Sequence, residues 1–253
     1  MRFKYNKEIE FFFKKYLFPQ HFLLKKRIER SIRKKDENEI DLLKKFIIPE
    51  TDSIDVGVYR GVYSYEMSKY SKIVHSFEPN PVIFKHINDN LKKISKNIIL
   101  YNYALSDKNG TLELKIPIRN KKYGKDNFEE YYLMGRATVH EKNKFQDQDY
   151  ENFKINSKRI DDINFKNKIS FIKIDVEGHE IEVIDGAKLT IKRNKPTLLV
   201  EIEEQHSKKK VDESINYINK LGYKSFYYEK DSLKNTSELK NFKLYNNYIF
   251  LPQ

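Results

Sequence analysis

The sequence predicts a three-layer α/β sandwich in which helices cover both faces of a mostly parallel, seven-stranded sheet. From residue 52 onward, short apolar strands alternate with amphipathic helices, a pattern typical of parallel strands joined by crossover helices. The last two strands follow each other without a helix, which indicates an antiparallel hairpin at one edge. The predicted strands are 53–56, 72–77, 97–104, 171–176, 197–202, 223–228 and 244–251, and residues 110–118 are predicted as a further extended segment.

Residues 1–48 are expected to form a basic helical extension, and residues 49–253 the sheet domain. Residues 1–35 hold 12 Lys and Arg against three Glu, so +9 of the chain's net charge of +12 lies there. This segment also has more apolar surface than a solvated arm requires, contributed by Phe11–Phe13, Phe22 and Leu23. Two roles remain open for this extension. It contacts an anionic membrane surface peripherally, or it packs on the sheet domain or on a second copy in a homodimer.

Composition predicts a cytoplasmic protein, with the inner face of the membrane as the place of any peripheral contact. The chain of 253 residues has no Cys, which excludes disulfides, thiol catalysis and zinc-thiolate sites. Its apolar runs are too short to span a membrane, and Lys14 and Lys15 directly after Phe11–Phe13 argue against a signal peptide. Beyond residue 35 the net charge is only +12 − 9 = +3. No specific nucleic-acid partner is therefore expected.

A glycine turn follows the first predicted strand. Asp55 ends the strand, and Gly57 and Gly61 enclose a turn into a helix whose N-terminus favours negative charge. The spacing Gly-x-x-x-Gly lacks the tight pyrophosphate cradle of dinucleotide-binding proteins, which argues against a nicotinamide-dependent oxidoreductase. Glu78, at the end of the next strand, is placed to accept hydrogen bonds from both hydroxyls of a ribose. Unless Glu78 and Asn80 serve only to begin the following helix, these features predict a nucleoside ligand.

Acidic residues also end two later strands. Asp175 ends an apolar strand, where an unpaired charge would be costly, and Glu177, His179 and Glu180 follow within five residues. Glu201 ends the next strand. Glu177 and Glu180 alone could be first-turn acids that complement a helix dipole, but this explanation leaves Asp175 unexplained. The carboxyl ends of parallel strands are where open sheets bind ligands, so we expect a site there.

In order and spacing, these motifs resemble those of the FkbM-type S-adenosylmethionine-dependent methyltransferases. The resemblance extends from about residue 50 to residue 204 and implies a Rossmann-like class I methyltransferase sandwich. The segments that carry it are Asp55-Val56-Gly57 with Gly61, Tyr63 and Ser64; Phe77-Glu78-Pro79-Asn80-Pro81; Ala104-Leu105-Ser106-Asp107; Ile174-Asp175-Val176-Glu177-Gly178-His179-Glu180; and Lys195-Pro196 with Val200-Glu201-Ile202.

The resemblance implies S-adenosylmethionine as the cofactor and a role for individual residues. Glu78 would bind the ribose, Asp107 would accept from the adenine amine, and the turn from Gly57 would cradle the methionine part. Tyr59 departs from the Ala-Asn pair that commonly follows this glycine in the family, and it would pack over the cofactor or narrow its pocket. The residues assigned to the cofactor are Asp55, Gly57, Tyr59, Gly61, Ser64, Glu78, Ser106, Asp107 and Asp175.

Methyl transfer to a hydroxyl requires a group that removes the hydroxyl proton. A carboxylate or imidazole near the methyl group is therefore expected. The candidate catalytic residues are Asp175, Glu177 and His179, with His140 as a further candidate. In an alternative, Mg²⁺ bound by Asp175, Glu177 and Glu201 would lower the pKa of a coordinated hydroxyl. The preferred interpretation assigns no metal ligand.

The resemblance implies O-methylation of a small molecule or glycan. Residues 119–152 are polar and poorly periodic, and they are expected to form a long loop or lid. Tyr123, Tyr131, Tyr132 and Arg136 in this segment would suit a sugar acceptor, or they would anchor the loop on the core. Two alternatives remain open: an RNA or protein methyltransferase on the same fold, and a non-catalytic nucleotide-binding or membrane-recruited module.

Overall fold

A computed structural model describes residues 18–121, 132–139, 149–203 and 210–253. Within these ranges the strands are β1 (Asp52–Val56), β2 (Val74–Phe77), β3 (Ile98–Tyr101), β4 (Ala104–Leu105), β5 (Gly110–Pro117), β6 (Tyr150–Lys158), β7 (Ile169–Ile174), β8 (Thr197–Glu201), β9 (Tyr223–Glu229), β10 (Ser232–Asn235) and β11 (Asn247–Pro252). The helices are α1 (Gln20–Lys34), α2 (Leu43–Phe46), α3 (Val62–Met67), α4 (Pro81–Ile94), α5 (Glu180–Asp185), α6 (Lys188–Asn194) and α7 (Val211–Asn219).

The larger of two sheets confirms the predicted architecture. Its order is β10-β9-β11-β8-β7-β1-β2-β3, with β8, β7, β1, β2 and β3 parallel and the remaining three strands antiparallel. The predicted count of seven strands is wrong, because β10 adds an eighth at the edge. Lys230 and Asp231 in its turn are both left-handed, with φ of 48° and 60°, as in a two-residue hairpin. The sequence does not predict this turn, because the turn lacks the glycine that is common in two-residue hairpins.

A second sheet, ordered β4-β6-β5, contains part of the predicted loop or lid. The strand predicted over 97–104 is split, because β3 stays in the large sheet while β4 pairs with β6. The segment after β5 folds back beside this strand. Two isolated antiparallel β-bridges join them, one between Lys115 and Thr138 and one between Ile118 and Tyr132. The predicted site residues Tyr123, Tyr131 and His140 lie outside the described residues.

Alternating side chains of the central strands create the three layers. Phe171 and Leu199 belong to one hydrophobic cluster, whereas their neighbours Ile172 and Leu198 belong to another. Successive residues of a strand point to opposite faces, so each cluster lies on one face of the sheet. Helices α1, α3 and α4 contribute to the first cluster, and α5, α6 and α7 to the second.

The N-terminal helix α1 is part of the packed body. Its residues Leu24 and Ile28 are buried, and the helix lies against α3 and α4. Phe18 and Phe22 remain 47% and 39% exposed, with ring centroids 6.1 Å apart. Phe11–Phe13 lie outside the described residues, so contact with a membrane or a second copy stays a prediction. None of the described helices has the length and apolar character needed to cross a bilayer.

Candidate active site

The candidate site residues lie at the carboxyl ends of four neighbouring parallel strands of the large sheet, β2, β1, β7 and β8. The register pairs Val56 with Phe77 and Ile174, and Ile174 with Val200. Side chains at these four strand ends are thereby brought together around a cavity of about 250 Å³, called here the small cavity. Its lining includes Gly57, Tyr59, Glu78, Asp175, Glu177, His179 and Glu201.

The turn after β1 requires glycine at its first position. Gly57 has φ +86°, and a Cβ atom there would lie 1.8 Å from the backbone oxygen of Asp175. Tyr59 is also left-handed, with φ 48°, and its backbone N–H donates to Glu78 Oε2 at 2.8 Å. The other oxygen of Glu78 accepts from the backbone N–H of Asn80 at 2.9 Å. Glu78 thus fixes the turn against the start of α4.

Replacing Gly57 by Ala is expected to lower the free energy of unfolding by about 2–5 kcal/mol, since a strained backbone costs about 1–2 kcal/mol and an overpacked contact about 1–3 kcal/mol. Gly222→Ala is the matched control. Gly222 has φ +93°, but nothing lies within 4 Å of its Cβ position, so only the backbone cost of about 1 kcal/mol is expected. Denaturant unfolding measures both variants. Equal losses would contradict the close approach to Asp175.

Asp55 and Ser64 lie beneath the turn and are not among the described residues that line the small cavity. Ser64 Oγ donates to Asp55 Oδ2 at 2.5 Å and lies 2.9 Å from Ser76 Oγ. Burial raises the pKa of Asp55 to about 6, although Lys173 and Ser64 act to lower it. Asp55 Oδ1 is buried and accepts no hydrogen bond from the described residues. From this position Asp55 can orient the turn without reaching into the cavity.

A buried lysine accompanies the carboxylates. Lys173 is 3% exposed, and its Nζ donates to Asp175 Oδ2 at 2.8 Å and to the backbone oxygen of Gly57 at 3.3 Å. The same Nζ lies 4.9 Å from the ring centroid of Tyr63. Burial opposes the charge of Lys173, but Asp175 and Asp55 outweigh it and raise the pKa of the lysine. Asp175 therefore ends its apolar strand as a paired carboxylate.

Two further carboxyl groups lie close to Asp175. Burial and then the charge of Asp175 raise the pKa of Glu177 to about 8, while Arg136 acts to lower it. Burial and Asp175, to which Glu201 is hydrogen-bonded, raise the pKa of Glu201 as well. Thr138 Oγ1 donates to the backbone oxygen of Glu177 at 2.7 Å and attaches the segment after β5 to this cluster. Burial, together with repulsion between neighbouring carboxylates, thus raises the pKa values of Glu177 and Glu201.

His179 borders the small cavity, and one of its ring nitrogens is hydrogen-bonded to Ser106. Nε2 lies 2.9 Å from Ser106 Oγ, and Nδ1 lies 3.8 Å from Glu182 Oε2. Ser106 Oγ also donates to Asp107 Oδ1 at 3.0 Å. Leu105 lines the small cavity, whereas Ser106 and Asp107 are not among its described lining residues. Their assignment to the adenine stays a prediction.

A second cavity of about 840 Å³, the large cavity, adjoins the first. It lies between α1, the start of α4 and the segment after β5. Tyr132 and Arg136, two of the residues predicted to suit an acceptor, line it. Tyr59, Ile83 and Gly135 border both cavities. The two cavities therefore share a boundary at which Tyr59 lies.

The described residues include no group of three His, Asp or Glu side chains arranged to hold a metal ion. Asp175, Glu177 and Glu201 do approach one another, yet Asp175 is paired with Lys173 and hydrogen-bonded to Glu201. Raised pKa values for Glu177 and Glu201, with a buried ammonium group paired with Asp175, do not fit Mg²⁺, which requires ionised oxygen ligands. The structure thus gives no support to the magnesium alternative.

Two features of this region were not predicted. Lys173 interrupts the apolar run of β7 two residues before Asp175, and residues two apart share one face of a strand. The spacing of Lys173 and Asp175 is therefore the sequence feature from which their ion pair could have been predicted. Arg27 and Arg30 share one face of α1, but Arg60, Arg119 and Arg136 come from separate segments of the chain, and no local pattern links them to that helix.

The model of the Methyltransferase FkbM domain matches residues 55–225 of the chain. No curated protein sequence matches this chain. The solved structure of methyltransferase FkbM from Methylobacillus flagellatus is similar, with a TM-score of 0.50 and 15% identity over 80% of this chain and 43% of that one. This chain thus spans less than half of that relative.

Two further solved structures resemble the chain less closely. An rRNA methylase from Streptococcus thermophilus has a TM-score of 0.45 and 12% identity over 85% of this chain and 93% of its own. Magnesium protoporphyrin IX methyltransferase from Synechocystis, with bound S-adenosylmethionine, has a TM-score of 0.45 and 7% identity over 89% and 84% of the two chains. With TM-scores below 0.5, these two structures support no conclusion about this chain.

Proposed function

Because the chain belongs to the FkbM methyltransferase family, we propose that it transfers the methyl group of S-adenosylmethionine to a hydroxyl group of a small molecule or glycan. One observation carries the proposal. A carboxyl group whose pKa is raised to about 8, that of Glu177, borders the same small cavity as Gly57 and Glu78. A base for the acceptor and a binding surface for the cofactor are thus adjacent. Calorimetry with S-adenosylhomocysteine tests the cofactor part directly.

The residues of the small cavity fit this cofactor. Glu78 is 5% exposed, and among the described residues each of its oxygens accepts one backbone N–H, so each retains capacity for a ribose hydroxyl. Gly57 has no side chain, so the backbone of the turn can contact the cofactor directly in the small cavity. The acidic cluster around Asp175 suits a ligand with a positively charged sulfur. Tyr59, at the junction of the two cavities, would separate cofactor from acceptor.

When bound, S-adenosylmethionine supplies a methyl group on a positively charged sulfur, and the carbon–sulfur bond breaks with its electron pair as the acceptor oxygen attacks. Glu177 takes the proton of the acceptor hydroxyl in our proposal. Its raised pKa makes it a stronger base than an exposed carboxylate, once it is ionised. Glu201 and Asp175 share a hydrogen bond beside it, and Lys173 keeps Asp175 in place.

At pH 8, replacing Glu78 by Ala is expected to weaken binding of S-adenosylhomocysteine by about 1.5–3 kcal/mol, the range for hydrogen bonds to a charged group, because burial raises the pKa of Glu78 to about 7 and the carboxylate is ionised above that pH. Glu78→Gln retains one acceptor oxygen and should lose less. Glu213→Ala, an exposed site on α7, is the control and should bind as the wild type does. Calorimetry measures all three. Equal binding by wild type and Glu78→Ala would contradict the site, and tighter binding of NAD than of S-adenosylhomocysteine would contradict the functional class.

The rate of methyl transfer is expected to rise with pH through about pH 8. The base must be ionised, and the pKa of Glu177 is raised to about 8, so activity falls about tenfold per pH unit below that value. The measurement is kcat/KM for the acceptor at saturating S-adenosylmethionine, which separates this titration from cofactor binding. A profile that is flat between pH 6 and pH 9 would contradict Glu177 as the base.

A further inference from the structure

The large cavity is lined by an unusual concentration of positive charge. Six of its side chains are cationic, against the single carboxylate of Asp36 among the described lining residues, so the charge is 6 − 1 = +5 with His86 neutral. Asp36 is itself hydrogen-bonded by Ser31 Oγ at 2.7 Å. The cationic residues are Arg27, Arg30, Lys34, Arg60, Arg119 and Arg136. A cavity with this lining favours an anionic ligand.

The kind of cation is more informative than the charge. The chain has 40 Lys and only nine Arg, yet five of those nine arginines line this one cavity, with one lysine. A lysine-rich surface would have placed mostly lysines there. The guanidinium group presents a planar fork of donors that binds phosphate oxygens in pairs, whereas lysine acts as a point charge. The composition of the lining therefore indicates recognition of phosphate rather than a merely solvated basic surface.

The charged lining extends to the proposed site of methyl transfer. Arg136 acts on the pKa of Glu177, and Arg60 lies with its guanidinium carbon 4.9 Å from the ring centroid of Tyr59. Tyr59 borders both cavities. A ligand whose anionic group lies among the arginines can thus extend past Tyr59 toward the acidic cluster.

We propose that the methyl acceptor carries phosphate: its phosphate group is bound by the arginines of the large cavity while its hydroxyl group extends toward Glu177. This inference rests on the proposed methyl transfer and adds the chemical class of the acceptor. It also assigns a role to α1, which supplies Arg27, Arg30 and Lys34 to the cavity wall. The volume of about 840 Å³ suits an organic phosphate rather than a free phosphate ion.

Calorimetry on the full chain saturated with S-adenosylhomocysteine tests the proposal with a matched pair of probes, glucose 1-phosphate and glucose. We expect binding of glucose 1-phosphate, displacement by inorganic pyrophosphate, and at least tenfold weaker binding of glucose. Arg30→Gln should weaken glucose 1-phosphate binding about tenfold, the loss of one charged hydrogen bond, and Arg30→Lys should lose less. Arg33→Gln, also on α1 but not among the described lining residues, should bind as the wild type does.

The other outcomes are equally decisive. Equal binding of glucose and glucose 1-phosphate, or equal binding by wild type and Arg30→Gln, would overturn the proposal. If a single-stranded RNA of 12 nucleotides binds through Arg30 and pyrophosphate does not displace it, the acceptor is nucleic acid and a small phosphate is wrong. If S-adenosylhomocysteine fails to bind while glucose 1-phosphate binds through Arg30, the methyltransferase proposal fails and the phosphate site stands.

Discussion

The Glu177→Gln variant is expected to lose methyl transfer by a factor of about 10²–10⁴ while it binds S-adenosylhomocysteine as tightly as the wild type. Gln is nearly isosteric with Glu but cannot accept a proton. Glu177 borders the small cavity, its pKa is raised to about 8, and its backbone is held by Thr138 at 2.7 Å, so the amide should occupy the same place. Release of S-adenosylhomocysteine, measured with an acceptor chosen from a panel of sugars and sugar phosphates, reports the rate.

Two controls make this result specific. Glu213→Gln changes an exposed acid far along the chain and should retain full activity. A chelator should leave the wild-type rate unchanged, because our mechanism uses a base and no metal ion; a rate abolished by chelator and restored by Mg²⁺ would favour the metal alternative. Turnover by Glu177→Gln at the wild-type rate would refute Glu177 as the base and move the role to Asp175 or His179.

The largest effect on stability is expected for Lys173→Met, at about 3–5 kcal/mol of the free energy of unfolding. Lys173 Nζ is 2.8 Å from Asp175 Oδ2, and the lysine side chain is 4% exposed. Met fills a similar volume but leaves Asp175 and the fully buried Asp55 without their compensating charge. Asp55 is fully buried and the side chain of Asp175 is 30% exposed, so most of the cost is expected to come from Asp55, whose charge would remain poorly solvated. Denaturant unfolding at neutral pH measures the loss.

Lys72→Met is the matched control for this prediction. Lys72 pairs with Glu50 at 4.0 Å, but its side chain is 47% exposed, so an effect below about 1 kcal/mol is expected. The cost of Lys173→Met should also shrink as the pH falls, because protonated carboxyl groups no longer need the ammonium group. Burial raises the pKa of Asp55 to about 6 although Lys173 acts to lower it, so without Lys173 the pKa of Asp55 should be higher and part of this recovery should appear above pH 6. Similar losses in the two variants would contradict the buried pair.

Much of the fold and part of the candidate site were predictable from local pattern. The alternation of apolar strands and amphipathic helices predicted the layered sheet, and an acid directly after a strand had to lie at its carboxyl end. Glu78 and Asp175 therefore lie at one sheet edge, as expected. The short edge strand β10 was missed because the turn at Lys230 and Asp231 has no glycine, although both residues are left-handed.

The sequence by itself determined the order of the elements and the strand ends at which carboxyl groups gather, since both follow from periodicity and chain direction. Only the tertiary structure decided how charges are paired and where cations collect. Lys173 compensates Asp55 across two neighbouring strands, and Arg30, Arg60 and Arg136 reach one cavity from three distant segments. Such groupings depend on packing between elements, and the energy of a charge depends on its burial and neighbours, which no spacing along the chain specifies.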